Sequence, residues 1–152
     1  MKTKMNRMRN NRGHQKKTRK NHGQNKYSEQ HMLVMFLRML NTVKLFHWKT
    51  SNYAQHKATD ELYTNLNLSI DSFVEILLGK TGNRVNLTGT KSMPLLDFSD
   101  VSHFKREIEM YKTYLIDMTH STLNEKQDTD LINVRDEILG HLNQFTYLLT
   151  FK

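Results

Sequence analysis

From residue 28 onward, apolar positions recur three and four apart in four separate blocks, the spacing of amphipathic helices. In the first block Met32, Leu33, Phe36, Leu37, Leu40 and Val43 form one stripe, and Val34, Met35, Met39, Leu45 and Phe46 widen it. A face that wide is expected to be covered on more than one side, by its own bundle and by another subunit. Ser28 is placed to cap this helix, which should run to about Lys49, where Thr50, Ser51 and Asn52 break it. The second helix is predicted from about Tyr53 to Leu78, with Gly79 as its stop. Its stripe is Leu62, Tyr63, Leu66, Ile70, Phe73, Val74 and Leu77, and Asp60, Thr64, Asn67, Asp71 and Glu75 fall on the opposite face. The third is expected to be capped by Ser99 and to run from about Asp100 to Thr119, with a turn over 120–127. The fourth should start near Asp128 and continue almost to the end of the sequence. His141 lies beside its stripe and is expected to be a hydrogen-bonded histidine at the core edge.

Between the second and third blocks, residues 79–98 form the one long irregular stretch, with three glycines and Pro94. A simple up-and-down bundle needs no connection of that length. The pattern therefore predicts an all-α, ferritin-like four-helix bundle over residues 28–152, with a long crossover between helices 2 and 3. The GKTG at 79–82 is not a phosphate loop: the required first glycine would be at Val74, and no strand precedes it. Asn86-Leu87-Thr88 fits a glycosylation sequon, which without a secretory signal reads as chance.

Composition adds exclusions. With no cysteine, disulfides, thiolate metal sites and cysteine nucleophiles are out, so any metal site must use His, Asp and Glu. No apolar run approaches the roughly 20 residues that span a bilayer. No membrane association is expected, and the chain reads as soluble and intracellular.

The formal charge of +8 is unevenly spread. Residues 1–27 carry Lys2, Lys4, Arg7, Arg9, Arg12, Lys16, Lys17, Arg19, Lys20 and Lys26 and no acid, while the other 13 basic and 15 acidic residues leave the body at −2. So polar a segment cannot bury enough apolar surface to offset its ordering entropy, and a basic tail disordered when free is expected. Such a tail suits sequence-independent, salt-sensitive binding to DNA, with those ten residues on phosphates. RNA, a targeting receptor reading the KKTRK run at 16–20, or plain solubilisation are the alternatives.

The candidate chemistry sits between His47 and Gly79. Asp71 and Glu75 are four apart and project side by side; they repel unless a cation, a basic side chain or water relieves them. A charge pair on a helix is ordinarily a solvated face. His47 and His56 flank the helix break, where imidazoles can converge on iron, zinc or manganese. His56 and Asp71 are about 22 Å apart along one helix at 1.5 Å per residue, so they cannot share an ion within one chain. They can if two copies pack antiparallel about a two-fold axis.

The sequence His47-Trp48, then Tyr53-Ala54-Gln55-His56, Asp60-Glu61-Leu62-Tyr63, and Ile70-Asp71 through Glu75 resembles the signature of the Dps family, the mini-ferritins that protect DNA under oxidative stress. The loop between the two histidines is shorter than is usual there, and the segment after Gly79 follows a different sequence. The resemblance implies a ferritin-like bundle whose two-fold dimers assemble into a dodecamer. It implies iron, Fe(II) and Fe(III), at a ferroxidase centre with His47 and His56 from one subunit and Asp71 and Glu75 from another, other divalent metals being alternatives. Trp48 would be the neighbouring aromatic that intercepts radical intermediates. The expected setting is cytoplasmic or nucleoid-associated, with a viral particle or the nucleus as alternatives. A DNA-packaging scaffold of the same build without ferroxidase activity is the alternative function, and a helical adaptor with a targeting tail the third reading.

Overall fold

The computed structural model describes residues 28–151, which form four α-helices and no strand. The ten basic residues assigned to nucleic acid, Lys2, Lys4, Arg7, Arg9, Arg12, Lys16, Lys17, Arg19, Lys20 and Lys26, lie outside the described residues, as does Lys152.

Helix α1 spans Glu29–Lys49. The Ser28 hydroxyl accepts the His31 N–H at 3.3 Å, satisfying one of the amides that a helix start leaves open. At the other end Thr50 turns extended and its N–H bonds to the Phe46 carbonyl. Helix α2 spans Tyr53–Thr81, with the Asn52 side chain accepting the Gln55 N–H at 3.0 Å. It ends at Gly82, whose φ of 69° is the left-handed conformation that only glycine adopts without strain. The expected stop at Gly79 is thus one turn early. Helix α3 spans Val101–Thr122. Its cap is Asp100, not the expected Ser99: the Asp100 carboxylate accepts from the Ser102 hydroxyl and from the N–H groups of His103 and Ser102, which hold its pKa below the usual carboxylate range. Helix α4 spans Thr129–Leu148, close to expectation.

Most positions of the predicted stripes are buried, with an exchange on α1: Leu37 of the stripe is 43% exposed, while Met39 and Phe46, expected only to widen it, are buried. Phe36, Met39, Val43, Leu66, Phe73, Phe104, Ile108, Tyr111, Leu115, Ile138 and Leu142 are essentially removed from water. Burying a side chain of this size contributes about 1.5–3 kcal/mol relative to leaving it exposed, which is why a face of such residues decides where each helix packs. Rings join the layers. Phe36 of α1 meets Phe73 of α2 edge-on at 5.1 Å, Phe46 of α1 stacks on Phe104 of α3 at 4.0 Å, and Phe104 meets Phe145 of α4. Each helix therefore has two neighbours: α1 lies beside α2 and α3, and α4 beside α2 and α3.

Polar groups also cross the interior. Arg38 of α1 donates to Glu107 of α3 at 2.8 Å, and the hydroxyls of Thr42 and Tyr111 share a hydrogen bond at 2.8 Å. Burial pushes the Tyr111 phenol pKa up, against the smaller opposing effect of Thr42. At the far end of the bundle, Lys80 in the last turn of α2 reaches Asp130 at 2.9 Å, Asp128 at 3.2 Å and the Gln127 carbonyl at 2.8 Å, tying α2 to the start of α4. Residues 82–100 connect α2 to α3 without a helix, and within them Asp97 bonds Lys49 at the end of α1 at 2.8 Å. Among the described residues no helix is long and apolar enough to cross a membrane.

Candidate metal centre

The break between α1 and α2 is short because two helix ends are stapled across it. His47, in the last turn of α1, is only 8% exposed. Its Nδ1 lies 3.1 Å from the His56 carbonyl and 3.3 Å from the Thr59 hydroxyl. His56, in the first turn of α2, returns the contact: its Nδ1 lies 3.1 Å from the His47 carbonyl. A carbonyl oxygen only accepts, so each Nδ1 carries the proton and donates. The His47 carbonyl is one of the four that a helix C-terminus leaves without an intrahelical partner, and His56 satisfies it. The two rings stack with centroids 4.0 Å apart and planes inclined by 24°.

This clasp fixes the tautomer of both histidines. In the neutral imidazole, a proton committed to Nδ1 leaves the lone pair on Nε2, the arrangement found where an imidazole binds a metal through one nitrogen and is oriented through the other. Asp60, one turn beyond His56, brings Oδ1 to 3.9 Å from the His47 Nε2, too far for a hydrogen bond. The sequence reading placed Asp60 on the polar face but not in the site. The signal was there in the four-residue step from His56 to Asp60, which repeats the step from Asp71 to Glu75.

Trp48 is 69% exposed on the adjacent position of α1. The Lys44 ammonium stands 5.7 Å from the Trp48 ring centre and 4.6 Å from that of Tyr63, so it bridges the two rings across α1 and α2.

Asp71 and Glu75 are exposed on the same helix. Because α2 is continuous from Tyr53 to Thr81, the separation of about 22 Å between His56 and Asp71 holds, and one chain does not bring the four predicted ligands together. Among the described residues no three His, Asp or Glu side chains are grouped to hold a metal ion. His141 is half-buried and lines a shallow groove with Glu61 between α2 and α4.

A family model matches residues 47–149, from the first histidine of the clasp to the end of α4. The chain belongs to DUF5856, a family of unknown function. The DUF5856 match takes in His47, Trp48, His56, Asp60, Asp71 and Glu75, and leaves out residues 1–27 and most of α1. No curated protein and no solved structure matches the chain.

Proposed function

We propose that this protein is a Dps-like mini-ferritin that oxidises and sequesters Fe(II) at sites shared between subunits and binds DNA through residues 1–27. The observation that carries the first part is the histidine clasp. The His47 ring, with its Nδ1 held by the His56 carbonyl, faces the Asp60 carboxylate at 3.9 Å, and imidazole with carboxylate is a donor pair suited to iron. Asp71 and Glu75 supply the complementary half from a second copy, whose α2 lies antiparallel across the two-fold axis. The exposed Leu37 and the half-buried Leu40 and Val74 line a groove beside Asp71 and offer the apolar surface for that contact.

Fe(II) is the substrate. The histidines and carboxylates bind it and favour the higher charge of Fe(III), so electrons pass to peroxide or oxygen at the site rather than in free solution. Trp48, exposed and next to His47, is positioned to give up an electron to a stray oxidising equivalent. The reading includes ferritin-like connectivity, with residues 82–100 as the long crossover. Its support is that the segment leaves α2 beside Lys80 and Asp130 and, by Asp97, has reached Lys49 at the opposite end of the α1–α2 hairpin. Two-fold dimers assembled into a hollow dodecamer complete the proposal.

The test is Fe(II) oxidation followed by absorbance of the ferric product, in wild type and in H56A and D71A. Rapid oxidation lost in both variants supports the site. Wild-type oxidation no faster than either variant overturns it.

A further inference from the structure

A groove of about 470 Å³ runs between the outer faces of α1 and α3, away from the candidate metal centre. Met35 and Met110 give it apolar walls, and Glu107, Glu109 and Asp117 line it along α3, against the single guanidinium of Arg38 from α1. Arg38 is paired through Nη2 with Glu107 at 2.8 Å, and Glu107 is 7% exposed. Glu109 is the accessible carboxylate: Lys112 takes one of its oxygens at 2.7 Å, and its side chain is 57% exposed. A carboxylate accepts at both oxygens, so Glu109 retains capacity for another cation.

The α1 wall begins at His31, three positions after Ser28, where residues 1–27 join the helix. Those residues hold ten Lys or Arg and no acid. Lys26 stands two positions before the junction, and the cluster Lys16, Lys17, Arg19 and Lys20 is followed by the polar stretch 21–25, in which Gly23 permits a reversal of the chain. Seven residues, or eight Cα steps, separate Lys20 from Ser28, a reach of up to about 28 Å, whereas the groove extends about 10 Å along α1 from His31 to Arg38.

We propose that the groove between α1 and α3 docks the chain's own residues 16–20. The ammonium and guanidinium groups pair with Glu109 and Asp117, and the aliphatic stems lie on Met35 and Met110. Tethering makes this pairing intramolecular, at an effective concentration in the millimolar range. The run then has two competing polyanions, the groove in cis and DNA in trans, and the groove acts as a brake on DNA binding. The brake rests on the DNA reading proposed above; the docking does not.

The experiment uses the full chain at low salt without DNA, as an equal mixture of unlabelled and 15N-labelled protein. A carbodiimide joins amines to carboxylates only where they touch, and mass spectrometry maps the amides. The expected result is amides from Lys16, Lys17 or Lys20 to Glu109 or Asp117 within one isotope label. Amides spread over Asp71, Glu75 and Glu137 according to exposure, amides of mixed label, or none at all overturn the docking. In the full-length E109Q variant the amide at that position disappears and DNA affinity rises about fivefold, the upper value for one exposed ion pair. Unchanged affinity in E109Q overturns the brake. If the amides form as expected and wild type binds no DNA, the DNA reading fails and the docking stands.

Discussion

Replacing His56 with alanine perturbs both the fold and the proposed chemistry, and the structure says by how much it should perturb the fold. The Nδ1–H bond to the His47 carbonyl, 3.1 Å long, is lost, and such a bond contributes about 1 kcal/mol net. The ring contact with His47 at 4.0 Å is lost as well, worth about 0.5–1.5 kcal/mol. Water can reach the His47 carbonyl through the half-exposed edge that His56 vacates, so the full penalty of a buried orphan is not added. The sum is about 2 kcal/mol, or roughly 8 °C in melting midpoint for a domain of this size. D71A is the companion. Asp71 is exposed and makes no hydrogen bond or ion pair among the described residues, so its loss should cost less than about 0.5 kcal/mol. Both variants should nevertheless lose Fe(II) oxidation alike, because each removes a ligand of the proposed shared site. Urea unfolding and ferric absorbance on the same preparations test the pair. Full oxidation by H56A refutes the ligand assignment, and equal destabilisation by the two variants refutes the division between a folded-in half and an exposed half.

Further outcomes are as specific. A chain beginning at residue 28 should keep its helices and oligomer by circular dichroism and light scattering but lose DNA compaction; for the full chain, ten engaged bases give a log affinity against log salt slope of about −9. Lys80 first, and then the Leu131 N–H, hold the pKa of Asp130 below 3.8, while the Asn124 N–H and then Lys80 do so for Asp128. The unfolded chain therefore binds these protons more readily, so their stabilisation is present above 3.8 and is lost as pH falls through the lower folded values. The urea midpoint should drop between about pH 5 and pH 2, and drop less in K80M. Leu66→Ala, at a fully buried position, should cost about 3–4 kcal/mol by urea unfolding. Zn(II), which cannot be oxidised, should strengthen dimerisation in sedimentation measurements of wild type and not of D71A, because a ligand shared by two chains is linked to their association.

The four helices were legible because each stripe repeats at the helical period, and the buried residues of α2, Leu62, Leu66, Ile70, Phe73 and Leu77, are the ones that period selects. Ends were less legible because their choice is made by contacts distant in sequence. Gly79 and Gly82 are equal candidates on paper, but Lys80 between them is held by Asp130 and the Gln127 carbonyl, and that anchor carries α2 through Gly79 to Gly82. At the start of α3, Ser99 and Asp100 are neighbours of similar capping rank, and the carboxylate, able to take both amides, is the one used. The partly buried pair of Arg38 and Glu107 was invisible to pattern reading, since each charge sits beside a stripe rather than on it and only packing of α1 on α3 brings them together.

The candidate site divides in the same way, and the division bears on what it is for. His47 and His56 would be worth their places for folding alone: they close the hairpin, satisfy a helix-end carbonyl and exclude water from Thr59. Their clasp is therefore compatible with a structural role as well as a chemical one. Asp71 and Glu75 are different. They stand side by side on one face of α2, exposed, with no hydrogen bond or ion pair among the described residues, and like charges four apart cost a helix a few tenths of a kcal/mol, about 0.2–0.5. Within the described bundle nothing offsets that cost. A cation held jointly with another chain's imidazoles would, and it would also give the unused Nε2 atoms a partner. Asp71 and Glu75 thus have no part in the described fold that accounts for them, and it is at these carboxylates, rather than at the histidines, that substitution most cleanly separates a shared iron site from a well-made turn.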